Sequence, residues 1–62
     1  MQNITEMELN GYSQLLNNEQ NAIQKFKNYA ESCEEPALKK LCEDIAQRHT
    51  QHYKTILSEM KK

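Results

Sequence analysis

Apolar residues recur along the first half of the chain at Leu9, Tyr12, Leu15/Leu16, Ile23, Phe26, Tyr29/Ala30 and Cys33. Spacings of three and four place them in one stripe along an amphipathic helix. A second series of the same period follows at Leu38, Leu41/Cys42, Ile45, Ile56 and Met60. Between the two lies Ser32-Cys33-Glu34-Glu35-Pro36, the one strong break, because proline fits the first turn of a new helix but not the inside of an old one. Upstream, Thr5-Glu6-Met7-Glu8 has the form of a capping box. Gly11 weakens the turns that follow it and is a candidate break. The pattern predicts an all-α fold in a single domain, 1–62: helix 1 over about 5–33, a turn at 33–36 and helix 2 over about 36–61, folded back as an antiparallel two-helix hairpin.

Each stripe is interrupted by polar residues. At about 100° per residue, Glu19 falls between Leu16 and Ile23 on the apolar face of helix 1, and His49 and His52 fall on the line joining Ile45 to Ile56 on helix 2. Glu19 stands some fifteen residues before the turn and the histidines about as far beyond it, so a rise of roughly 1.5 Å per residue brings them level. The hairpin predicts that they face each other.

Length changes this picture. A chain of 62 residues buries only roughly 60% of its unfolded surface when it folds alone. One hairpin also leaves an apolar face open, and two such faces pack into a four-helix bundle. A homodimer is therefore expected, with a twofold axis gathering two copies of Glu19, His49 and His52 into one core layer. Composition and charge mainly exclude. One glycine and one proline argue against a many-turned sandwich or a disordered tract, and a net charge of −1 with interleaved signs offers no stripe for nucleic acid and no basic end for a membrane. No apolar run approaches the roughly 18 residues of a membrane span and no signal-peptide pattern opens the chain, so an intracellular protein is expected. Cys33 and Cys42 are too few for a disulfide scaffold and too far apart for a paired zinc motif; reduced core residues are expected.

Two readings fit the polar layer. A carboxylate in an apolar stripe needs compensation, and imidazole nitrogen with carboxylate oxygen suits a transition metal such as zinc or iron, with Glu19, His49 and His52 as ligands. Alternatively the layer is a hydrogen-bonded register device, a known use of polar groups in helical bundles, or the histidines simply reach solvent at a loose interface. The second is the more economical, since an i, i+3 histidine pair is a weak motif by itself. Tyr12, Tyr29 and Tyr53 lie on or beside the stripes and are expected to pack, Glu34-Glu35 to meet the dipole of helix 2, and Glu43-Asp44 to face solvent. No nucleophile constellation or phosphate loop is present, and no catalytic residue is expected.

Glu19-Gln20, Tyr29-Ala30, Glu35-Pro36-Ala37-Leu38, Ile45, His52 and Thr55-Ile56-Leu57-Ser58-Glu59-Met60 together resemble the spore coat protein F family of Gram-positive spore formers, over about two thirds of the chain. The resemblance implies a ferritin-like bundle, a structural role in a spore layer and other coat proteins as partners. In ferritin-like carboxylate proteins one helix supplies a Glu and its partner Glu-x-x-His. Glu19 matches the first Glu and His52 the histidine, while His49 stands where the second carboxylate would be. Dinuclear iron chemistry uses bridging carboxylates, so that departure argues against oxidase activity. A different class of function fits the same pattern: an interaction module whose apolar face binds a helix of another protein, as a regulatory adaptor does.

Overall fold

The computed structural model describes residues 4–62 and contains two helices, α1 (Glu6–Ser32) and α2 (Pro36–Met60), with no strand among the described residues. Met1 to Asn3 of the expected domain lie outside the described residues. The chain is a helical hairpin, and local chemistry explains its ends. Thr5 caps α1: its hydroxyl accepts the Glu8 N–H at 3.1 Å and its own N–H donates to Glu8 Oε1 at 3.2 Å, the reciprocal pair of a capping box. The helix then runs through Gly11 without a break. A side chain there would meet nothing within 4 Å, so this glycine is a cost in helix propensity and nothing more.

At the turn, Cys33 leaves the helix with an extended backbone while its N–H still donates to the Tyr29 and Ala30 carbonyls. Two residues later Glu35 caps α2, its carboxylate accepting the N–H groups of Ala37 at 3.1 Å and Leu38 at 2.8 Å, and Pro36 takes the first helical position. Glu35 is thus occupied by the helix start. Along α2, Asp44 pairs with Lys40 at 2.7 Å, one turn away.

The helices lie side by side in a rod of about 48 × 15 × 10 Å. Among the described residues Ala30, Cys42 and Ala46 are the buried ones, all small. Their small side chains let the two helices approach closely, and near the turn Lys39 ties them by donating its Nζ to the Ala30 carbonyl at 3.0 Å. Farther from the turn the seam continues through half-buried Phe26, Ile23, Leu16 and Tyr12 on α1 and Tyr53, Ile56, Leu57 and Met60 on α2. Cys33 and Cys42 are free thiols; burial first, and the Cys33 thiol second, push the Cys42 thiol up, away from the reactive thiolate.

One helix covers only part of its neighbour's apolar arc. Leu9, Leu15, Tyr29, Leu38 and Leu41, all members of the predicted stripes, remain about half exposed, and Met7 more so. Among the described residues no helix is long and apolar enough to cross a membrane.

Candidate metal centre

Glu19, His49 and His52 meet midway along the hairpin. Glu19 projects from α1, and the two histidines project from one turn of α2, where i, i+3 spacing puts both rings on adjacent lines of the helix surface. Glu19 Oε1 lies 2.6 Å from His49 Nδ1 and 3.5 Å from His52 Nδ1. Both imidazoles therefore turn the same ring nitrogen toward one carboxylate oxygen. With its proton on Nδ1, His49 donates to Glu19 in a short hydrogen bond. One ligand atom from each of the three residues can be chosen so that all lie within 4.8 Å of one another.

The site is graded in exposure. The Glu19 side chain is 19% exposed, His49 28% and His52 59%, so the carboxylate is held inside the seam while the second imidazole opens to the flank. The Phe26 ring stacks on His49 at 6.0 Å between centroids and 12° between planes, and His52 meets His49 edge-on at 5.5 Å. Phe26 in turn meets Tyr29 edge-on at 5.7 Å. Phe26 thus walls the layer on the turn side and fixes the plane of His49. Sequence reading placed Phe26 in the core but not at the site; its signal is its place seven residues after Glu19, two turns along the same face.

Two neutral imidazoles beside one carboxylate leave a negative charge in a mostly enclosed position, which a divalent cation would neutralise. The donor set is two nitrogens and one oxygen, a combination that open zinc sites use with water as the fourth ligand. Zinc bonds of about 2.0–2.1 Å in a tetrahedron set neighbouring ligand atoms about 3.3 Å apart. The 3.5 Å contact already suits that edge, and the 2.6 Å contact would have to widen by about 0.7 Å. Among the described residues the cluster offers a single carboxylate, which does not suit a carboxylate-bridged pair of irons.

No protein-family model, no curated protein and no solved structure matches this chain.

Proposed function

We propose that the chain is a small structural protein of the ferritin-like, spore-coat type, which pairs with a second copy into a four-helix bundle and holds a transition metal at Glu19, His49 and His52. The observation that carries this reading is the convergence of both Nδ1 atoms on one carboxylate oxygen at 2.6 and 3.5 Å, with one ligand atom from each residue within 4.8 Å of the others. One carboxylate per chain does not suit a carboxylate-bridged pair of irons, whereas a single zinc or iron ion suits two histidines and one glutamate. Pairing is supported by the half-exposed leucines and Tyr29, which a lone hairpin leaves in water. The resemblance of residues 19–60 to the spore coat protein F family supports the structural role and the association with other coat proteins.

Cobalt(II) is the direct probe, because in place of zinc it colours a tetrahedral nitrogen and oxygen site. Titration of the metal-free protein should give visible bands that saturate at one ion per chain, and His49→Ala should remove them. Colourless protein at saturating cobalt would reject the metal reading. The short Glu19–His49 hydrogen bond favours a second reading, in which the layer is satisfied without an ion and sets the register of the helices. In that case the protein stays colourless and still dimerises.

A further inference from the structure

The hairpin has two flanks, and they differ in chemistry. On the first, Leu15, Ala22 and Tyr29 recur every seventh residue of α1, and Leu38, Ile45 and His52 recur every seventh residue of α2. At about 100° per residue each trio stays within about 40° of helix surface, the narrow seam by which one helix meets another outside its own pair. Leu15, Tyr29 and Leu38 are about half exposed there, as are Leu41 beside them and His52. On the second flank a groove of about 450 Å³ runs over Ala30 and Ala46, rimmed by the charged side chains of Lys27, Glu31, Glu43 and Lys54. Charged residues are depleted from interface cores and tyrosine is enriched there.

We infer that a second copy of this chain docks on the flank of Leu15, Ala22, Tyr29, Leu38, Ile45 and His52, and that it closes the metal layer by covering His52. The inference rests on the dimeric reading above and adds which surface is used. Area supports a second copy as the occupant. A compact monomer of 7.3 kDa exposes about 4,200 Å². This chain exposes 5005 Å², some of it at the chain ends, so the excess is about 800 Å². That excess is about what each partner of a standard interface buries. The spacing on α1 agrees: Leu15 and Tyr29 flank Ala22 symmetrically, so a twofold axis at Ala22 sets large residues against large and brings the two α1 helices close at the small one. His52 is the least covered ligand, and it lies on this flank, so the same packing finishes the site.

The test places one negative charge on each flank and follows dimerisation by sedimentation equilibrium, with helicity checked by circular dichroism. Leu15→Glu and Leu41→Glu, each at a position about half exposed in the hairpin, should weaken the dimer by about 100-fold or more, because the charge would be buried in both copies. Gln51→Glu in the charged groove should leave the dimer constant within about threefold. A photo-reactive phenylalanine analogue at position 29 should cross-link two chains, and the same analogue at position 51 should not. It reports on the interface without depending on how the charged variants fold. Loss of the dimer in Gln51→Glu, or cross-links from position 51 alone, would overturn the choice of flank and leave the dimer standing. A wild-type monomer at all concentrations, with and without zinc, would overturn both.

Discussion

The end of the hairpin beside the turn and its middle use the same two helices and are completed in different ways. Toward the turn, Ala30 and Cys42 are buried, Glu35 satisfies the first N–H groups of α2, and Lys39 donates to the Ala30 carbonyl in the last turn of α1. One chain suffices. In the middle, Glu19 is enclosed but its two imidazole partners become progressively more open, and Leu15 close by is about half exposed. Small side chains let two helices finish a seam by themselves; a layer of large polar side chains needs something further, an ion, a second hairpin or both.

The sharpest way to break this contrast is Glu19→Leu. Without metal the change should be neutral or stabilising, since an apolar residue replaces a mostly enclosed carboxylate. With zinc at about a hundred times its dissociation constant, the wild type should gain about 2.7 kcal/mol and the variant nothing, read as a thermal shift present in one and absent in the other. Equal shifts in both would mean that zinc binds elsewhere. At the turn end the opposite sensitivity is expected. Cys42→Leu overfills the seam near the turn and should destabilise by about 1–3 kcal/mol with or without zinc, measured by urea unfolding.

The two regions were not equally legible in the sequence. Both helices follow from the three-and-four spacing and the Glu34-Glu35-Pro36 break, and the meeting of Glu19 with His49 and His52 follows from counting residues away from the turn. The alanine seam does not. Alanine is neutral in an apolar pattern, so nothing singles out Ala30 and Ala46 until the helices are seen side by side. Periodicity also shows that a stripe exists without showing how much of it one partner covers, which is why Tyr29, Leu38 and Leu41 read as core and lie half exposed. The unequal openness of His49 and His52 has the same cause: both fall on the stripe, but only His49 faces the seam directly.

Smaller effects test whether the distal part of α1 is limited by local propensity. Gly11→Ala should stabilise by about 1 kcal/mol, because the site is open and the backbone is helical. A loss of stability would reveal a close approach at Gly11 by a second chain. At the start of α1, bonds from the Thr5 side chain and then its backbone hold the Glu8 carboxyl below its ordinary value of 4.5. A depressed carboxyl contributes stability above its unfolded value and loses it as pH falls through the folded one. Melting temperature should therefore decline slightly as the pH drops below about 4.5, and Glu8→Gln should flatten that decline.

The most direct measurement is native mass spectrometry with elemental analysis on untagged protein, comparing the wild type with a His49→Ala, His52→Ala double variant. A metal-bearing dimer with one zinc per chain, losing its metal in the double variant, is the expected result. A dimer that is free of metal after zinc loading, or that keeps its metal without the two histidines, would contradict the assignment of Glu19, His49 and His52 as a metal centre.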